Sequence, residues 1–361
     1  MNQHYVPQFY FRNFSANSRN IGLLLTSNGR IVTQAPIKGQ CSKNNFHGSN
    51  EIESLISKLE GMFAHSIRIA LKIAWDDHDL KFDNSEICRL FQCIVFQRMR
   101  TELEIVKNSD AHSKFLMLVL KREIAKRKTG AERDQLLNFL EKDLVEIVEN
   151  PVVTVIRNIQ IALELTPLIS DLRFILLRNQ TEYPFLFSDS PVIYYNNYLR
   201  HVRHRGVLGL QCKGLQIVYP LDSRTCLFML DSDTYTDFSN GQFIHDILEK
   251  SDVSQINALQ LHHCLNAIYF RDNAEYVSEL WNVHGRSDSY PTGEYHTSND
   301  WAVDGKRIES EIHYSFQPQV AHELNLSFLT WKTAPKDASV FEPRNQDVYD
   351  RVKSQTDKNG T

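Results

Sequence analysis

Hydrophobic and polar positions change their period twice along the chain. Residues 1–14, MNQHYVPQFYFRNF, alternate aromatic and polar groups around Pro7, a pattern that suits an extended segment better than a helix. A hairpin is predicted over 21–34, where GLLLT and RIVTQ flank Ser27-Asn28-Gly29, because Asn-Gly tolerates the positive φ of a tight turn. From Asn50 the period is helical. Ser49 or Asn50 caps a helix with Ile52, Leu55, Ile56, Leu59, Phe63 and Ile67 on one face. Asn84 or Ser85 caps a second, with Ile87, Leu90, Phe91, Ile94 and Val95 inward. Helical spacing recurs at about 111–128, 131–148 and 151–165.

After Pro167 the apolar runs shorten and are broken by Pro, Asp and Gly. Phe174–Leu177, Phe185–Phe187, Val192–Tyr195, Leu215–Tyr219 and Cys226–Leu230 read as strands. One more helix covers about Ser254–Asn266, and Ala267–Phe270 is a further strand. Residues 283–310, rich in Ser, Asp, Gly and Tyr, predict a long loop, and the chain from about Pro343 predicts a frayed end. The sum is an α+β fold, a mixed β-sheet core with a large helical bundle or insertion in the first half. One domain is expected over residues 1–345, helical at about 50–165 and sheet-forming at 1–40 and 168–335, with a polar tail over 346–361.

Composition narrows the class without naming a function. The 361 residues are 42% hydrophobic and 23% charged, the mixture of a chain that can bury a core. No apolar run approaches the roughly 20 residues of a bilayer span, and the N-terminus lacks the basic start of a secretion signal. A cytoplasmic protein with no membrane association is therefore expected. Its six cysteines are dispersed, which predicts reduced thiols rather than a disulfide framework or a zinc site. A net charge of −4 supplies no global field toward nucleic acid, so binding of that kind needs a local patch. The templates GxxxxGK(S/T), GxGxxG, HExxH and GxSxG are absent from the sequence, which excludes the usual phosphate-loop, dinucleotide, zinc-protease and α/β-hydrolase assignments.

Four clusters carry candidate chemistry. In the first, His4 can move a proton near neutral pH, Gln8 and Asn13 can read an amide-like edge, and Arg12 can grip a phosphate. Its five aromatics either line a pocket for a planar base or anchor the segment on a sheet. The second is Phe187-Ser188-Asp189-Ser190-Pro191 at the end of an apolar strand. Asp189 there either orients water, ligates a metal or stabilises a cation, or it caps its own turn. The third is the basic and aromatic run from Tyr194 to Arg205. Tyr194, Tyr195 and Asn196 can meet a base while Arg200, Arg203 and Arg205 contact phosphates, unless the run is a mixed surface loop. His201 and His204 stand three apart but lack further ligands in sequence, so no metal is assigned. In the fourth, Gln97 and Arg100 share a helix face, and a buried Arg100 would need Glu53 or Glu60 as its partner. The basic residues from Lys121 to Lys128 fit a solvated helix end or a nucleic-acid contact.

The opening HYVPQFYFRNF resembles the N-terminal signature of a widespread bacterial family known as domain of unknown function 4238. The similarity continues through Glu53 and Glu60, Gln97 to Arg100, Phe187 to Pro191, Tyr219-Pro220-Leu221-Asp222 and the helix with Asn257. The family pattern more often has Asn where this chain has Ser190. The resemblance covers about residues 1–270. Some members stand in antiviral loci, and the group is similar to a phage-defence DNA glycosylase acting on glucosylated hydroxymethylcytosine. It thus implies a base-flipping hydrolase that leaves an abasic site in phage DNA. Asp189 would stabilise the sugar cation with His4 beside it, and Gln8, Asn13, Gln97, Arg100 and Ser188 would help hold the substrate. No cofactor and no obligate protein partner is called for. The alternatives are a metal-dependent nuclease, with Asp189 and Gln211-Cys212-Lys213 as its core, and a non-catalytic phage sensor.

Overall fold

Residues 2–14 enter the fold as a short strand and a helix, not as one extended segment. The computed structural model describes residues 2–76, 81–106, 127–140, 151–200, 205–237, 241–285, 293–303, 306–316, 322–332 and 343–359, with isolated positions besides. After β1 (Asn2–His4), Pro7 occupies the cap position of α1 (Gln8–Asn13) with φ −72°. The proline supplies a fixed φ where no N–H is needed. Tyr10, Phe11 and Phe14 then fall on one helical face and are fully buried, which outweighs their local strand preference. The predicted hairpin forms as β2 (Asn20–Leu25) and β3 (Arg30–Pro36), with Gly29 at φ +70° in the turn. β4 (Ser42–Asn44) returns to pair with β1, His4 opposite Ser42.

The helical part follows. α2 (Asn50–Trp75) is capped by Ser49, whose hydroxyl accepts from the Ile52 N–H, and α3 (Asn84–Met99) by Asp83, one residue earlier than predicted. Ile56, Phe63 and Ile67 face inward as their spacing requires, whereas Leu55 is exposed. α4 (Gly130–Phe139) is short, and the helix expected over 111–128 falls largely outside the described residues. α5 (Pro151–Leu165) packs on α3 and continues into a tight turn, Thr166–Ile169. Among the described residues the stretch Val152–Ile169 is the one that is long and apolar enough to cross a bilayer. Its apolar positions Val155, Ala162 and Ile169 are fully buried, and the Asn158 amide donates to the Met99 carbonyl at 3.1 Å.

The second half supplies the sheets. β5 (Arg173–Asn179), β6 (Phe187–Ser188), β7 (Ile193–Tyr195), β8 (Gln216–Pro220), β9 (Thr225–Leu230), β10 (Tyr235–Asp237) and β11 (Ile244–Ile247) precede α6 (Lys250–His262) and β12 (Ala267–Phe270). One sheet has the order β11-β5-β9-β8-β7, with β11 parallel to β5 and the remaining pairs antiparallel. The other has the order β3-β2-β12-β6, so the terminal hairpin shares a sheet with the strand that leads into Asp189. A single buried cluster joins Phe63 and Ile94 of the helices to Leu176, Phe187 and Ile217 of the sheets. The fold is α+β.

Three differences from the sequence expectations lie at the C-terminal end. A helix not foreseen, α7 (Ala274–His284), precedes the region 283–310 read as a loop, and that region instead carries the hairpin β13 (Gly293–Val303) and the start of β14 (Lys306–Phe316). Val303 pairs with Lys306, with Asp304-Gly305 between them in sequence; that dipeptide is a hairpin signal that the polar composition conceals. β15 (Leu329–Trp331) pairs with β10. The supposed frayed end is α8 (Gln346–Asn359), capped by Asn345 and tied down by Arg344, which grips Asp171 at 2.8 Å through two of its nitrogens.

Candidate active site

His4 stands where three elements meet. Its backbone is held in the β1–β4 ladder, and the next residue is fixed on both sides: the Tyr5 N–H donates to the Cys41 carbonyl at 2.9 Å, and the Gln97 amide donates to the Tyr5 carbonyl at 3.0 Å. Gln97 is oriented by Arg100, whose Nε and Nη2 both donate to its Oε1, at 3.0 and 2.8 Å. The third guanidinium nitrogen reaches Glu60 at 2.6 Å, which settles the partner of Arg100 as Glu60. Glu53 and Glu60 lie seven residues apart on α2, two turns and about 10.5 Å along one face. Both carboxylates and Arg100 act electrostatically on His4.

The local chemistry can be assigned atom by atom. Nε2 of His4 lies 3.1 Å from the Lys38 carbonyl oxygen, which can only accept, so Nε2 carries the proton. Burial lowers the pKa of His4, against the opposing effects of Lys38, Glu60 and Glu53, so the ring is neutral at pH 7 and Nδ1 is its basic nitrogen. The hydrogen bond from His47 Nδ1, at 2.8 Å, holds the Glu53 carboxyl below its ordinary range and therefore ionised. Gln8 accepts from the exposed Arg12 through Oε1 at 3.1 Å, and its amide nitrogen lies 3.4 Å from His4 Nε2, where two N–H donors face each other without a hydrogen bond. A neutral base, an ionised carboxylate and a solvent-facing cation thus share one partly exposed region.

Asp189 is built differently. It is 3% exposed, and its carboxylate accepts from the N–H groups of Leu265 at 2.8 Å, Asn266 at 2.6 Å and Ala267 at 3.3 Å. Burial pushes its carboxyl up to about 6, although those three donors pull it down. Its hydrogen bonds make it a clamp on the distant turn between α6 and β12 and not a cap on its own turn. Ser188 has a similar fate, its hydroxyl and N–H both directed to Gln260 Oε1 at 2.9 and 3.0 Å. Segment 1–14 and the Asp189 strand do pack together, because Phe187 contacts the rings of Tyr10, Phe11 and Phe14.

The remaining sequence-selected residues divide between anchors and unseated positions. Asn13 donates to the Leu221 carbonyl at 3.2 Å, and Tyr10 donates to that of Pro220, so both fix α1 to the Tyr219–Asp222 stretch. Tyr5, Tyr10, Phe11 and Phe14 are core rings and form no stacking platform for a base. The Arg98 guanidinium lies 4.9 Å over the Tyr194 ring. Tyr195 donates to the His322 carbonyl at 2.5 Å, and Asn196, fully buried, donates to Val207 and Lys213 carbonyls at 2.9 and 2.8 Å. Arg200 is ion-paired with Glu323. Arg203 and the side chain of Arg205 lie outside the described residues, as do His201 and His204. Of the nuclease core, Asp189 holds the 265–267 backbone while Gln211 holds Leu168 and Asn345, so different segments occupy the two.

In the sequence His47 carries no signal, whereas Glu53 and Glu60 stand out as partners for Arg100 and as part of the family resemblance. The available signal was their seven-residue spacing on an otherwise apolar stripe. A cavity of about 370 Å³ lies elsewhere, walled by Asn197, Tyr235, Asp252, Ser327 and Trp331 among others. Asp252, its carboxylate, is committed to the N–H and hydroxyl of Ser327 at 2.9 and 2.6 Å.

The sequence model of a family described as "Protein of unknown function (DUF4238)" matches residues 2–274. The chain belongs to this family. No curated protein and no solved structure matches it. The DUF4238 region contains both His4 with its partners and the Asp189 clamp, whereas the β13–β14 hairpin and the segment after it lie beyond.

Proposed function

We propose that this chain hydrolyses an N-glycosidic bond in modified phage DNA, releasing a glucosylated hydroxymethylcytosine and leaving an abasic site, in the bacterial cytoplasm. The observation that carries the reading is the convergence of neutral His4 with the ionised Glu53 carboxylate in a partly exposed cluster. As the glycosidic bond breaks, the sugar becomes cationic, and a carboxylate nearby lowers the barrier by stabilising that charge. The base departs with the electron pair of the C–N bond and takes a proton from solvent, while His4 Nδ1 takes one from the water that adds to the sugar carbon; the cation-stabilising role expected of Asp189 moves to this cluster. Glu53 takes the electrostatic role. Gln97 and Arg100, both buried, are positioning residues that hold the backbone at Tyr5, and exposed Arg12 meets a phosphate. The hydrolysis needs no metal at this site.

The test is incubation of the full chain with DNA carrying glucosylated hydroxymethylcytosine in EDTA, followed by mild alkali. Alkali-labile breaks confined to the modified DNA are expected. Strand breaks without alkali that vanish in EDTA would instead make the protein a metal-dependent nuclease. No product under either condition would leave it as a sensor of phage material.

A further inference from the structure

Three imidazoles outside the site described above converge from separate elements. His262 is the last residue of α6, His284 is the last residue of α7, and His322 opens the segment that leads to β15. One nitrogen from each ring lies within 4.8 Å of the other two. Ring centroids are 5.8 Å apart for His262–His284 and for His262–His322, and 5.6 Å apart for His284–His322. All three side chains are partly buried, and Nε2 of His322 is buried with no hydrogen-bond partner. A buried ring nitrogen with no partner, beside two further imidazoles, is an uncompensated polar group unless something binds there.

We infer that His262, His284 and His322 form a binding site for one divalent transition-metal ion, with zinc the best fit and water at the fourth position. A tetrahedral zinc with nitrogens at about 2.0–2.1 Å needs ligand atoms about 3.3 Å apart, so small side-chain rotations close the observed triangle. Three imidazoles with no carboxylate favour zinc, cobalt or nickel over magnesium or calcium, which require oxygen ligands. Burial lowers the pKa of all three rings, that of His262 to about 4, so each offers a lone pair at pH 7.

The position gives such an ion a defined task. On α6, Asp252 accepts from Ser327, and Gln255 exchanges hydrogen bonds with the Asn325 backbone at 2.6 and 2.5 Å. His262, two turns beyond Gln255 on the same helix face, meets His322 as the next rung of that ladder. The metal therefore staples the chain after the β13–β14 hairpin to the ends of α6 and α7. Of the three ligands only His262 lies within the family-matched residues, so the staple belongs to this chain's C-terminal part.

The test uses the full chain, free of any affinity tag and stripped with EDTA, titrated with cobalt(II) alone and then with zinc(II). One equivalent of cobalt should bind with the visible absorption of a tetrahedral ion, and zinc should displace it and raise the thermal midpoint. Loss of a partner that merely orients a metal ligand costs roughly 10–100-fold in affinity, so His284→Ala and His322→Ala should each cost at least ~100-fold. Far-UV circular dichroism of the metal-free variants checks their folding, and His284→Gln, closer in size, provides a second variant. Saturable binding lost in these folded variants supports the site. No saturable binding at ~100 µM metal, or binding unchanged by either substitution, overturns it.

Discussion

The segment that carries His4 and the strand that leads into Asp189 meet through the rings of Tyr10, Phe11, Phe14 and Phe187, yet the surroundings of the two residues are built to opposite rules. Around Asp189 three backbone N–H groups occupy a carboxylate that is 3% exposed. Around His4 the hydrogen bonds stop short of saturation: Nε2 is engaged while Nδ1 remains basic, and Glu53 keeps its charge in a partly exposed position. A buried polar group with every valence met stabilises a fold, whereas half-satisfied groups with opposed environments can move protons.

The largest expected effect lies on the His4 side. Glu53→Gln should slow base release by about 10²–10³ while leaving the thermal midpoint nearly unchanged, since one electrostatic group of this kind typically contributes that much. Initial rates on glucosylated DNA beside a melting curve measure both, and equal rates would exclude Glu53. On the Asp189 side, Asp189→Ala should destabilise the chain by about 3 kcal/mol, because the buried Ala267 N–H and the part-buried N–H groups of Leu265 and Asn266 lose their acceptor at roughly 1–3 kcal/mol each, offset by water entry. A urea titration reads this, and a shift under 1 kcal/mol would contradict the clamp.

Acidity separates the two regions again. The folded pKa of Asp189, about 6, lies above its unfolded value, so the native state binds the proton more readily there. Its contribution to stability should fall as pH rises from about 4 to about 6, and Asp189→Asn should remove that slope from urea midpoints measured across the range. His4 titrates below its ordinary value of about 6.5, so base release should rise with pH through a point below 6.5 and then level. A rate that falls across that range would remove His4 as the base. The smallest effect concerns the supposed DNA-backbone loop. Arg200 already pairs with Glu323, so Arg200→Ala should change the salt slope of DNA binding by less than the ~0.9 of one phosphate contact.

The legible part of the molecule was its periodicity. The Ser49 cap, the inward stripe of α2, the Asn28-Gly29 hairpin and the β8 and β9 strands all follow from spacing and turn chemistry. Gln97 and Arg100 were also readable as a pair, because three residues on a helix share a face. The role of Asp189 was not, since its partners are backbone N–H groups 76 to 78 residues away and carry no side-chain signature. α1 was hidden by aromatics whose strand preference yields to burial, and the β13–β14 hairpin by the Ser, Asp, Gly and Tyr content of 283–310, although Ile308, Ile312, Tyr314 and Phe316 alternate with polar residues along β14. The three histidines escaped because spacing motifs detect ligands on one element, and these come from three.

The most direct test of the division between the two regions is a paired measurement on His4→Gln and Asp189→Asn, with base release per folded molecule and urea midpoint read for each. His4→Gln should lose about 10²-fold or more in rate at an unchanged midpoint, while Asp189→Asn should lose about 1–2 kcal/mol of stability and keep its rate. The reverse pattern, an inactive but fully stable Asp189→Asn beside an active His4→Gln, would contradict it.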